Sequence, residues 1–297
     1  MIRPEKLKSG DKIGIVATAS KVEEADVSSA CEIIKNWGFE PVVAPNVLKP
    51  YHQFAATDEE RLSDLQSMLD DDSVKAVLAA RGGYGTARII DKVDFSGFLK
   101  SPKWVAGYSD ITVLHSHIHN LGVETLHCTM PIGFSKNYES VETIRKALVG
   151  EQLNYSCAAY PINRTGETNT ELVGGNISLL MGMLGSISDI DTKGKILFIE
   201  DLKEPLYHLD RMMVSLKRAG KLDGLKGLLV GGLTDMTDGK TPFGKSAEEI
   251  VMDAVKEYDY PVAFQFPAGH IDRNLTLCFG RLTSLKVAKD TTSLVFK

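Results

Sequence analysis

Apolar residues in the first half of this chain fall into short unbroken runs separated by stripes at helical spacing. Lys12–Thr18 (Lys-Ile-Gly-Ile-Val-Ala-Thr) is nearly all apolar, the pattern of a strand buried on both faces of a parallel sheet. Ala30, Ile33, Ile34 and Trp37 recur at helical spacing until Gly38, and Glu40–Ala44 reads as a second strand. A Pro-punctuated loop follows, and Thr57-Asp58-Glu59-Glu60 opens a helix with an acidic first turn. Val74–Ala80 is a third strand and Trp104–Ala106 a fourth. Helical spacing then runs from Asp110 to Leu121, ahead of a strand at Val123–His127. This alternation predicts an α/β fold with a doubly wound, mostly parallel sheet, whose functional loops gather at the carboxyl ends of the strands.

From Gly150 to Thr170 the periodicity fails and Asn, Thr, Pro and Ser accumulate, so a domain boundary is expected there. It divides the chain into an N-terminal α/β domain over 1–160 and a smaller C-terminal α+β domain over 170–297. In the second, Glu171–Val173 leads through Gly174-Gly175-Asn176 into an apolar helix. Lys195–Ile199 is a strand ending at Glu200-Asp201, and Leu206–Ala219 is an amphipathic helix closed by Gly220. Strands at Leu225–Val230 and Val262–Phe266 flank a helix at Ser246–Tyr258, and short strands follow from Leu275. That order predicts a mixed, curved sheet.

Composition narrows the functional classes. The 297 residues are 43% hydrophobic and 25% charged, an ordinary soluble mixture, and the net charge of −5 offers no global attraction for nucleic acid or an anionic membrane. No apolar run approaches the length of a membrane span, and Met1 to Lys6 has no signal-peptide core, which favours the cytoplasm. Cys31, Cys128, Cys157 and Cys278 are scattered without a C-x-x-C and read as isolated reduced thiols.

The chemistry centres on Gly107-Tyr108-Ser109-Asp110-Ile111-Thr112. Ser109 sits on a sharp strand-to-helix turn, beside the first free N–H groups of the next helix. Two readings fit: a nucleophile elbow, or the N-cap of a helix. Glu200 ends a strand, and His270 follows another in Phe266-Pro267-Ala268-Gly269-His270. A hydroxyl, a carboxylate and an imidazole from three strand-following loops are the parts of a hydrolytic triad, in the chain order Ser, Glu, His. Arg81-Gly82-Gly83-Tyr84-Gly85 can bring bare backbone N–H groups to a ligand, as a phosphate cradle or as half of an oxyanion hole, though neither nucleotide-binding glycine spacing is present. Gly174-Gly175-Asn176 is either another close-approach loop or a turn with an N-cap. His115, His117 and His119 resemble a metal site, but on a helix 115 and 119 share a face while 117 points away, which favours a structural role. Arg81 and Arg273 are cations in loop positions.

With Arg81–Gly85, Gly107–Thr112, Gly174–Asn176, Phe198-Ile199-Glu200-Asp201, Leu209-Asp210-Arg211-Met212 and Pro267–His270 in this order, the chain resembles the LD-carboxypeptidase family along essentially its whole length. These are serine peptidases that include muropeptide L,D-carboxypeptidases and microcin C self-immunity proteins. The resemblance implies a flavodoxin-like N-terminal domain, a mixed-sheet C-terminal domain, a homodimer, and catalysis with no metal or other cofactor. It implies a catalytic triad of Ser109, Glu200 and His270 and an oxyanion hole from the Asp110 N–H with one from Gly82 or Gly83. Substrate contacts are expected at Arg81, Asn176 and Arg273. The implied reaction releases C-terminal D-alanine from muropeptide tetrapeptides in cell-wall recycling, on a small peptide substrate with no nucleic acid or membrane partner. The alternatives are an immunity-type peptidase for aminoacyl-nucleotide conjugates and a catalytically silent small-molecule binding protein. Two stretches depart from the family pattern, His127-Cys128-Thr129 and Ala17-Thr18-Ala19-Ser20, and both are expected to line the substrate cleft.

Overall fold

A computed structural model describes all residues from Met1 to Lys297. The chain begins with β1 (Lys12–Val16), α1 (Glu24–Asn36), β2 (Glu40–Val43), α2 (Asp58–Asp70) and β3 (Val74–Ala79). It continues through α3 (Ser96–Lys100), β4 (Trp104–Gly107), α4 (Thr112–Asn120), β5 (Thr125–His127) and α5 (Tyr138–Leu148). The five strands lie in the order β2-β1-β3-β4-β5 and pair in parallel, the flavodoxin-like order. Local chemistry sets the helix starts. Thr57 caps α2 by accepting from the Glu60 N–H at 3.3 Å, while the Glu60 carboxylate accepts from the Thr57 N–H at 3.0 Å.

The second half runs β6 (Asn154–Ala158), β7 (Gly166–Asn176), α6 (Ile177–Gly182), β8 (Ile196–Leu202), α7 (Leu206–Arg218), β9 (Gly227–Thr234), α8 (Ala247–Ala254) and β10 (Val262–Ala263). It closes with β11 (Leu277–Phe279), β12 (Leu282–Val287) and β13 (Thr291–Phe296). The second sheet is mixed, in the order β10-β9-β8-β7-β12-β13-β6, parallel from β7 to β10 and antiparallel elsewhere.

Two strands cross the boundary expected near 150–170. β6 lies inside that stretch and forms the edge of the second sheet against β13, and β11 returns to pair antiparallel with β5 in the first sheet. Sheet membership therefore does not follow a single cut between 160 and 170. β6 escaped the pattern because it is an edge strand whose alternate positions are exposed or only half-buried, so it carries no apolar run. The buried apolar side chains of both sheets join in one continuous cluster.

Gly174 and Gly175 lie inside the end of β7 rather than in a turn, with φ of 134° and 143°. A Cβ on Gly174 would come within 1.9 Å of the Phe198 carbonyl oxygen of β8. Gly174→Ala is expected to cost roughly 2–4 kcal/mol, from a left-handed backbone strained by the new Cβ and a clash with backbone that cannot yield. A shift in the urea unfolding midpoint measures it, and a midpoint equal to wild type would contradict the close packing of β7 on β8.

Candidate active site

The apolar run Trp104–Gly107 buries β4, and the chain then turns sharply. Tyr108 is extended, and Ser109 adopts φ +64°, a left-handed conformation uncommon for a residue with a Cβ. One 3₁₀ turn over Ser109–Ile111 leads into α4, so the hydroxyl projects at the carboxyl end of the strand. Gly82 lies directly against this elbow: a Cβ there would sit 2.9 Å from the Ser109 Cβ and 3.4 Å from the Asp110 nitrogen. The Asp110 side chain is fully buried and holds the glycine loop in place, accepting from the Thr86 N–H at 2.8 Å. Burial raises the pKa of that carboxyl, against the hydrogen bonds from Thr86 that lower it.

Glu200 and His270 reach the same point from the second sheet. The His270 Nε2 is 3.1 Å from the Ser109 Oγ, and its Nδ1 is 2.6 Å from the Glu200 Oε2. The same carboxylate oxygen accepts from the His270 backbone N–H at 3.1 Å, so loop and ring are fixed by one group. Glu200 is completely buried and its other oxygen has no partner, which leaves His270 to answer its charge. Burial by itself would depress the His270 pKa. The charge and hydrogen bond of Glu200 outweigh it and hold the imidazole above its ordinary value.

Glu200 lies within β8, not past its end, and the β8–β9 register slips beside it, between Ile199 and Asp201, where β9 carries one extra residue. The Tyr108 ring packs 4.9 Å from the His270 ring, and burial pushes its phenol up to about 12.

Ser109 and His270 open into a cleft of about 650 Å³, within the range of small-ligand sites. Arg81, Gly82, Gly83 and Asn176 line it. Arg81 donates one guanidinium N–H to the Lys21 carbonyl at 2.8 Å. Asn176 caps α6 and gives its amide N–H to the buried Asp201 carboxylate at 2.8 Å.

Arg273 does not line the cleft. It forms a bidentate pair with Glu139 at 2.8 and 2.9 Å, at the surface, because α5 places an acidic first turn beside the His270 loop. Of the two departures from the family pattern, only Thr129 lines the cleft; Cys128 is fully buried. Thr18 is also buried, with its hydroxyl 2.8 Å from that of Thr86, so the early loop backs the glycine loop from behind. Sequence reasoning missed Lys136, Lys203, Asp235 and Asp272, which all line the cleft. Lys203 and Asp235 directly follow parallel strands, a position that could have flagged them.

Two of the three histidines of α4 are held by protein groups, while the buried His119 Nδ1 has no hydrogen-bond partner. His115 meets Thr125 Oγ1 at 2.8 Å and the Gly107 carbonyl at 2.9 Å, and burial lowers its pKa to about 4. His117 meets Ser188 Oγ at 2.9 Å.

Comparison with known proteins matches residues 13–128 to the LD-carboxypeptidase N-terminal domain and residues 169–285 to the LD-carboxypeptidase C-terminal domain. A probable murein peptide carboxypeptidase of Bacillus subtilis is 36% identical, over 97% of this chain and 93% of that protein. The crystal structure of a muramoyltetrapeptide carboxypeptidase from Oxalobacter formigenes superposes with a TM-score of 0.88 at 27% identity, covering 96% of this chain and 98% of that one. The microcin C7 self-immunity protein shares the fold, with a TM-score of 0.87 at 20% identity over 99% of this chain and 98% of its own. Two domain matches in order, with relatives aligned end to end, establish that the chain belongs to the LD-carboxypeptidase family.

Proposed function

We propose that the protein is a serine carboxypeptidase that cleaves an L,D peptide bond and releases C-terminal D-alanine from muropeptide tetrapeptides, as a cytoplasmic homodimer. The observation that carries this reading is the hydrogen-bonded line from Ser109 Oγ through His270 to Glu200 at the edge of a peptide-sized cleft. The Ser109 oxygen attacks the carbonyl carbon of the scissile bond as its proton passes to His270 Nε2. The negative oxygen of the tetrahedral intermediate is met by the Asp110 N–H and an N–H of Gly82 or Gly83. The C–N bond then breaks, the departing amine takes the proton from His270, and water repeats the sequence to free Ser109. Glu200 holds the imidazole tautomer and balances the imidazolium.

A carboxypeptidase must also hold the terminal carboxylate, and Arg81 and Lys136 are the cations assigned to it. With that carboxylate anchored, inverting the last Cα exchanges its methyl and hydrogen and turns the carbonyl away from Ser109. A displacement of about 1 Å costs on the order of a hundredfold in rate, which sets the expected preference for D-Ala over L-Ala. Paired tetrapeptides compared by kcat/KM provide the test. Equal rates, or a preference for L-Ala, would remove the L,D assignment, and preferential cleavage of an aminoacyl-nucleotide conjugate would replace the muropeptide reading.

A further inference from the structure

Arg61 has a completely buried side chain, and it stands behind the glycine loop rather than in the cleft. A buried guanidinium is costly unless its N–H groups are answered, so its partners show what it is built to hold. From α2 it donates to the carbonyls of Thr18 and Ala19 at 2.9 and 3.4 Å and to that of Thr57 at 3.4 Å. It also pairs with Asp58 and lies over the Phe54 ring, 4.6 Å from the centroid. Thr57 and Asp58 belong to the start of its own helix. Thr18 and Ala19 do not: they form the turn that leaves β1.

That turn carries the glycine loop. The Ser20 N–H donates to the Gly82 carbonyl at 3.2 Å, and the Thr18 hydroxyl meets the Thr86 hydroxyl at 2.8 Å. Gly83 lies against Ser20 and Gly85 against Arg61 itself, so a Cβ at these positions would overlap the Ser20 Oγ and the Arg61 Nη1. On the opposite side the Asp110 carboxylate takes the Thr86 N–H. Burial raises the pKa of that carboxyl, and the charge of Arg61 is among the influences that oppose the rise. The peptide joining Gly82 to Gly83 is trans and planar, so a carbonyl drawn towards Ser20 sends the Gly83 N–H to the other side. That N–H has no acceptor in the protein, and Gly82 lies against Ser109.

We propose that Arg61 is a positioning residue for the oxyanion hole. Through the Thr18–Ser20 turn it fixes the Gly82–Gly83 peptide, so that the Gly83 N–H faces the oxygen of the tetrahedral intermediate. This rests on the serine mechanism proposed above and deepens it, naming the glycine that supplies the second donor and the side chain that holds it.

The test reads Ser109 directly with an alkyl fluorophosphonate. The Ser109 Oγ bonds to phosphorus, its proton passes to His270 and fluoride leaves, and the phosphoryl oxygen takes the place of the oxyanion. Arg61→Met is expected to lower the plateau rate of this reaction, and kcat, by about a hundredfold, the cost of a donor displaced by about 1 Å. The acidic limb of the pH profile should stay at its wild-type position, because Glu200 and His270 are untouched. Arg61→Lys keeps the charge and a donor to the turn, and should recover to within about tenfold of wild type. Thr86→Val removes the hydroxyl bond at the far end of the loop and should cost less, about threefold. Combined with Arg61→Lys, the two losses should come to less than their product, since both act through one turn. In Arg61→Lys the Ser20 and Thr86 amides should also exchange hydrogen about tenfold faster than in wild type.

A folded Arg61→Met that reacts at the wild-type rate would overturn the proposal. So would a slow reaction whose acidic limb has moved, which would place the effect on His270. Should Arg61→Met not fold, Arg61→Lys and Thr86→Val decide: wild-type rates in both, or fully multiplicative losses, would overturn it. Unchanged exchange at Ser20 and Thr86 would do so even if the probe left wild-type Ser109 unlabelled, a result that by itself counts against the serine mechanism instead.

Discussion

Ser109→Ala should leave a folded protein that binds substrate and turns it over some 10⁴–10⁶ times more slowly, the range seen when a triad nucleophile is removed. The hydroxyl faces the cleft and its bond to His270 lies at the surface of the core, so little packing is lost. The effect should fall on kcat, with Kd for an uncleaved peptide within a fewfold of wild type. Because the elbow at φ +64° is strained for any residue with a Cβ, Ser109→Gly should be more stable than Ser109→Ala by about 1 kcal/mol while equally inactive. Single-turnover kinetics and thermal unfolding of the two variants supply the measurements. Cleavage by Ser109→Ala at close to the wild-type rate would end the assignment of Ser109 as nucleophile.

Glu200→Gln should fold and lose about 10⁴ in kcat, because an amide cannot balance the imidazolium and no longer imposes the tautomer that presents Nε2 to Ser109. The pH profile separates this role from simple loss of packing. His270 must be neutral to accept the Ser109 proton, so activity rises with pH through its pKa. In wild type that pKa lies above the ordinary imidazole value, since Glu200 outweighs burial. Without the carboxylate, burial prevails and the acidic limb of the residual activity should move to lower pH. A limb that stays in place, or moves up, would show that Glu200 does not set the charge state of His270.

The site was partly legible because each candidate group follows a local pattern. An apolar run ending at Gly107 locates Ser109 at the junction with α4, and strand signals precede Glu200 and His270. Arg273 shows the converse: from its loop position alone an arginine reads as an available cation. Nothing local records that the first turn of α5, 134 residues away in sequence, supplies Glu139 to engage it.

The sequence by itself determined the alternation of strands and helices, the parallel first sheet, and the six motifs that mark the family, because burial periodicity and turn chemistry are written in neighbouring residues. Long-range pairing was decided only by the tertiary structure. β11 crosses back to β5, the edge strand β6 joins β13 with scarcely any apolar signal, and the Glu200 carboxylate meets a histidine 70 positions further along the chain. The opposed charges of Lys203 and Asp235 belong to the same class. They are 32 positions apart in the chain and become neighbours only because β8 and β9 pair side by side, an arrangement that leaves no periodic trace in either strand.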